Sequence, residues 1–193
     1  EDVMNSKKLT DDLRLLNCSR PCTGSASILL ASKEVAEKYT DMPIWITGIG
    51  QKTTSAGFTK NTSLTSMEST AIAGQSALKM SNRNISEIDV AEVHDAFSVC
   101  EPMILESLGF TNPGEGINMS QKLHEENNFM INPRGGLIGS GHPLGATGIS
   151  QTIEIVQQLQ KTAENRQTNN PKTGLVHNMS AAATSSTVLV LEK

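Results

Sequence analysis

Aromatic side chains are scarce in this chain: one Trp, one Tyr and four Phe make up 3% of 193 residues. Its core must therefore come from Ile, Leu, Val, Ala and Met. Lys/Arg runs and basic stripes are also lacking, and the net charge is only −4. Neutralising a phosphate backbone needs clustered cations, so nucleic acid is excluded as the main partner. No apolar run approaches the roughly twenty residues that cross a bilayer, so no membrane span is expected. The first residues, EDVMNSKK, lack a signal-peptide pattern. The chain opens on Glu instead of Met, as a fragment or processed product would. Cysteines number three, Cys18, Cys22 and Cys100; an odd count argues against a disulfide framework and for a reducing compartment, here the cytoplasm. Cys18 and Cys22 form C-x-x-x-C without a second pair, so no metal site is expected.

The length suits one medium domain or two small ones and can bury a sizeable core. Apolar and β-branched runs predict strands over 24–31, 43–50, 88–93, 174–179 and 187–191. Helical spacing predicts helices over 32–39, 67–80, 96–108 and from 146 onward, with Ser32 as an N-cap and Pro102 as a kink or an early helical residue. Residues 53–66 and 111–128 read as polar connections, and 180–186 (SAAATSS) as a small-residue turn. This order is that of an α/β fold, helices packed on a mixed sheet.

The most informative stretch is 132–148, NPRGGLIGSGHPLGATG, in which six glycines and two prolines surround His142. Glycine at this density is used where backbone must come close to something. Pro143 fixes the chain's exit from the histidine, and a helix start follows, where free N–H groups and the dipole favour negative charge. Two readings stand side by side: a tight turn in which His142 caps or packs, and acid/base equipment for a substrate that develops an oxyanion. Gly139, Gly141 and Gly145 give G-x-G-x-x-x-G, one residue too long for a dinucleotide fingerprint, and no P-loop lysine is present.

A second constellation lies at the end of the strand IDVAEV, which delivers His94 and Asp95 to the carboxyl edge where open α/β sheets hold ligands. Asp95 reads as an N-cap of the helix that follows; His94 reads equally as a satisfied strand-end residue and as a site residue. His94 and His142 could converge on one pocket, where imidazoles polarise a carbonyl, position a water or move a proton near neutral pH. His124, in a polar connection, reads as solvated, and His177 as a packing residue near the same pocket.

AEVHDAFS together with NPRGGLIGSGHPLGATG strongly resembles the C-terminal half of the thiolase superfamily, above all the subgroup of archaeal acetyl-CoA acetyltransferases and sterol-carrier-protein thiolases. RLLNCSRPCTGSASILLAS is similar to that family's strand entry, with Thr23-Gly24 in place of Asp-Gly. The resemblance runs over the whole chain, so residues 1–193 would be a single thiolase C-terminal domain, one half of a five-layer αβαβα architecture. It implies Claisen condensation of acyl-CoA thioesters or thiolysis of a 3-ketoacyl-CoA, with coenzyme A thioesters as substrates and no separate cofactor. By the same resemblance His142 is the base that activates a nucleophilic cysteine, and His94 holds an oxyanion-hole water or donates directly. Gly141, Asn178 and Ser180 are expected as oxyanion or loop support and Ser19 as a coenzyme A contact.

The sequence departs from the family in three ways. None of its cysteines lies in the nucleophile motif, which belongs to the N-terminal half. The family's Cys-x-Gly turn appears as Asn178-Met179-Ser180, and the cysteine of a His-Asp-Cys-Phe variant is Ala96. Cys100, one helical turn further on, reads as a buried structural thiol. The expected protein is therefore the C-terminal part of a thiolase-type acyltransferase, inactive alone and completed by an N-terminal half in cis or as a separate chain, within a homo- or hetero-oligomer. A peroxisomal or mitochondrial location is compatible with it. The alternative is a non-catalytic thiolase-like subunit that binds acyl-CoA or scaffolds a partner. A carbon–carbon lyase is disfavoured because both histidine loops keep the thiolase form.

Overall fold

The computed structural model describes residues 1–55, 63–125 and 130–193, the side chains of 123–125 excepted. Its strands are β1 (Trp45–Thr53), β2 (Val90–Glu92), β3 (Met130–Ile131), β4 (Thr173–Met179) and β5 (Ser185–Glu192). They form one mixed sheet in the order β1-β5-β4-β2-β3. β5 runs antiparallel to both β1 and β4, and β2 runs parallel to β4 and β3. The helices are α1 (Asp2–Asn5), α2 (Lys33–Tyr39), α3 (Glu68–Ser81), α4 (Cys100–Leu108), α5 (Gly116–Glu125), α6 (Gly136–Ser140) and α7 (Thr147–Gln160). This is the expected α/β arrangement.

Helices lie on both faces of the sheet. Ala73 and Ala77 of α3 and Ile104, Leu105 and Leu108 of α4 meet Ala91, Leu175, Val188 and Val190 in one core. On the opposite face Ile155 and Leu159 of α7 pack on Val90, Val176 and Leu191. Strands β2 and β4, covered on both faces, are buried except for the last two residues of β4. In β1, Gly48 and Gly50 allow α3 to approach the strand: a Cβ on either would be driven into the backbone carbonyls of Ala77 and Ala73.

Four expectations are corrected. Residues 24–31 form no strand: they have no ladder partner among the described residues, and Leu29 and Leu30 are 100% and 74% exposed. Apolar alternation supplies a surface that suits a sheet, yet a strand forms only where another strand presents its edge. The 111–128 connection contains α5, whose residues are polar on average, so the stretch reads as a connection although its few apolar residues recur at helical spacing. The glycine-rich loop contains α6. Finally, α4 begins at Cys100 instead of 96, because residues 95–99 turn to meet another segment: Ser19 N–H donates to the Ala96 carbonyl (2.8 Å) and Ser98 N–H to that of Asn17 (2.9 Å). Pro102 is then the third residue of α4, where its missing N–H has no intrahelical acceptor to lose. Part of the expected 53–66 loop, 56–62, lies outside the described residues.

Candidate active site

The site is built at the carboxyl edge of β2, where two loops from distant parts of the chain meet. One carries His94, two residues past the end of β2. The other carries His142, between the end of α6 and the start of α7. The loops are fastened in three places. Asn132, in the left-handed region at φ 48°, accepts the Val93 N–H on its Oδ1 (2.8 Å). Asp95 Oδ1 accepts the Leu137 N–H in the first turn of α6 (2.6 Å). Residues 17–22 then cross both loops: Cys18 bridges to Phe97, Pro21 bridges to His142, and the Arg20 carbonyl accepts the His142 N–H (2.8 Å).

Asp95 is thus a helix cap, as its sequence context suggested, but of α6 and not of the helix that follows it. It explains why GLIGS is helical despite its glycines: a buried carboxylate satisfies N–H groups that have no intrahelical acceptor. Gly136 is at φ 62°, and a Cβ there would run into the Asp95 carboxyl group. Burial, only partly offset by the Leu137 N–H, pushes the Asp95 pKa up from 3.8 to about 6.

His94 and His142 face one another edge to face, ring centroids 4.9 Å apart and planes at 87°. Each ring has one nitrogen occupied. His142 Nδ1 is 2.7 Å from Thr147 Oγ1, and that hydroxyl donates its own proton to the Pro143 carbonyl (3.1 Å). With that proton on the Pro143 carbonyl the hydroxyl accepts from His142, an arrangement that puts the imidazole proton on Nδ1 and a lone pair on Nε2. His94 Nδ1 is 3.0 Å from Asn178 Nδ2, whose second hydrogen goes to Gln151 Oε1 (2.9 Å). An amide nitrogen donates, so His94 Nδ1 accepts and the proton sits on Nε2. The pair thus offers one lone pair and one N–H.

Both rings are held neutral. Burial, with the neighbouring His142, lowers the His94 pKa from 6.5 to about 4. Burial also lowers His142 below its ordinary value. Neutral imidazoles side by side can take a proton from an S–H or from a carbon next to a carbonyl, and can stabilise the oxyanion that results.

Beside His94 opens a cavity of about 390 Å³, lined mainly by apolar side chains, with Met67, Phe97, Met103 and Met179 among them and Cys100 in its wall. The Cys100 thiol is buried and its pKa is raised by that burial, as suits a structural cysteine. The turn after β4 closes the cavity. Ala182 and Ala183 there have φ of 55° and 51°, a conformation that costs a non-glycine residue about 1–2 kcal/mol. Ser69 Oγ holds the turn by donating to the Ala183 carbonyl, at 2.5 Å.

The remaining expected residues divide. Asn178 is in contact with His94. Gly141, at φ 88°, lets the loop pass Cys22, whose Sγ would lie 2.9 Å from a Cβ at that position. Ser180 spends its N–H on the Ser185 carbonyl (2.9 Å), which closes the turn. Ser19 is half-buried on the segment that crosses the two loops. His177 is fully buried with Nε2 3.1 Å from Thr70 Oγ1, in the core instead of the pocket. The backbone of His124 belongs to α5; its side chain is outside the described residues. Sequence reasoning missed Thr147 and Gln151. They stand four apart at the start of a helix, five and nine residues after the histidine, a spacing that puts both on the helix face nearest the loop.

Fold and site define an α/β domain with two histidines paired edge to face at a strand edge. A family profile described as "Thiolase C-terminal domain-like" matches residues 50–193. The acetyl-CoA acetyltransferase of Methanothermobacter thermautotrophicus is 35% identical over 195 residues, covering 100% of this chain and 51% of that protein. Human sterol carrier protein 2 is 33% identical over 186 residues, covering 93% of this chain and 34% of that one. Among solved structures, the Ltp2-ChsH2(DUF35) aldolase shares the fold, with a TM-score of 0.84 at 22% identity over 99% of this chain and 50% of that one. The chain belongs to the thiolase C-terminal domain-like family. It spans about half the length of that archaeal relative and about a third of sterol carrier protein 2. Among the described residues no helix is long and apolar enough to cross a membrane.

Proposed function

We propose that this chain is the acid–base half of a thiolase-type acyltransferase that works on acyl-CoA thioesters by Claisen condensation or thiolysis. The observation that carries the reading is the His94–His142 pair, ring centroids 4.9 Å apart, in which one ring offers a lone pair and the other an N–H. His142 Nε2 takes the proton from a nucleophilic cysteine, and later from the α-carbon or thiol of the second substrate. His94 Nε2–H stabilises the thioester oxygen as it becomes an oxyanion, directly or through a water. Gly141, Asn178 and Ser180 support these loops, and Ser19, on the crossing segment, contacts coenzyme A.

The nucleophile comes from an N-terminal thiolase half, in cis or as a second chain, and the working unit is an oligomer in the cytoplasm. The chain alone has no turnover, because a base without its nucleophile forms no acyl-enzyme. The test is acetoacetyl-CoA thiolysis by the chain alone and after addition of a thiolase N-terminal half. Turnover only in the completed protein supports the reading. Acyl-CoA binding without turnover in the completed protein overturns it in favour of a non-catalytic subunit.

A further inference from the structure

The hydrogen bonds of the two site histidines suit protons on different nitrogens, and two of the residues that set those bonds come from one face of one helix. Thr147 is the first residue of α7 and Gln151 stands one turn later; both are 0% exposed. At that spacing side chains stack along the same side of a helix. Thr147 acts on His142 directly. Its hydroxyl has one proton, and that proton is directed to the Pro143 carbonyl across the first helical turn at 3.1 Å. Only its lone pairs face the ring, at 2.7 Å. Gln151 acts on His94 through Asn178. Its Oε1 holds the Asn178 amide with the nitrogen turned toward the ring, 2.9 Å on one side and 3.0 Å on the other.

Gln151 is unfavourable for stability in this position. Its Nε2 is buried and has no protein partner. A buried polar group left unpaired costs free energy that an apolar side chain of the same size would not, so its place calls for another explanation. Orienting the Asn178 amide supplies one. Without Gln151, that amide can turn over and present its oxygen to His94 Nδ1, which would bring the proton to Nδ1 and remove the N–H from Nε2.

We propose that Thr147 and Gln151 are positioning residues: α7 fixes His142 as the Nδ1–H form and His94 as the Nε2–H form, making one ring a base and the other a donor. The use of the two tautomers rests on the acyltransferase reading above, whereas the tautomers themselves are read without turnover. The two ideas can therefore fail separately.

The experiment is a long-range ¹H–¹⁵N correlation spectrum of the 193-residue chain with ¹⁵N-labelled histidine, recorded above the pKa of both rings. The wild-type spectrum should show a protonated Nδ1 and a bare Nε2 for His142, and the reverse for His94, assigned with H142A and H94A. Thr147→Val should cost His142 its single-tautomer pattern, while Thr147→Ser, which keeps the hydroxyl, should retain it. Gln151→Met should do the same to His94 and leave His142 unchanged. Like tautomers on the two rings in the wild type overturn the proposal, and this result needs no variant to fold. So does a Thr147→Val or Gln151→Met protein whose histidine pattern is that of the wild type.

Discussion

Replacing Asp95 by Asn isolates the group that pins the glycine-rich loop under His142. Asn keeps the shape and an oxygen for the Leu137 N–H, so the cap survives; what disappears is the ionisation. In the folded chain burial raises the Asp95 pKa from 3.8 to about 6. The folded state therefore binds this proton more tightly than the unfolded one, and the contribution to stability is complete below pH 3.8 and lost as pH rises through 6. At roughly 1.4 kcal/mol per tenfold change in proton affinity, the loss is about 3 kcal/mol. The difference in unfolding free energy between wild type and D95N cancels the other titrating groups. Urea unfolding at intervals from pH 3.5 to 7 should show D95N gaining about 3 kcal/mol on the wild type across that range. A difference that is flat with pH, or that moves in favour of the wild type as pH rises, would refute the placement of a carboxyl group in a dry cap.

Two further outcomes follow from the same geometry. With an N-terminal half supplied, kcat/KM for acetoacetyl-CoA thiolysis should fall as pH drops through a midpoint below 6.5, because burial holds the His142 pKa below its ordinary value and only the neutral ring can act as base; a midpoint above 6.5 would contradict a buried base. Gly50→Ala sets a methyl group against the Ala73 carbonyl of α3. Overpacking of this kind costs about 1–3 kcal/mol, read as a lower urea midpoint; an unchanged midpoint would mean that α3 does not lie directly on β1.

Much of the fold was legible because its signals are local. β-Branched runs mark β1 and β5, IDVAEV leads into β2, and the apolar period of 67–80 gives α3 within a residue. The strand expected at 24–31 failed because a ladder needs a second edge, which no local pattern encodes. α6 was hidden by its own glycines: it stands because Asp95, 42 residues earlier, caps it. The site was half legible. His142 and His94 stand out as isolated histidines at loop ends. Their tautomers depend on Thr147, Gln151 and Asn178, whose types are unremarkable until the fold sets them within 3 Å of a ring or of one another.

The central claim is that His142 generates a thiolate. Its most direct measurement is the rate of iodoacetamide alkylation of the nucleophilic cysteine in the completed protein, comparing wild type with H142A at neutral pH. The account predicts a fall of about 10²-fold or more, the usual scale for removing a general base. An alkylation rate unchanged by H142A would contradict it.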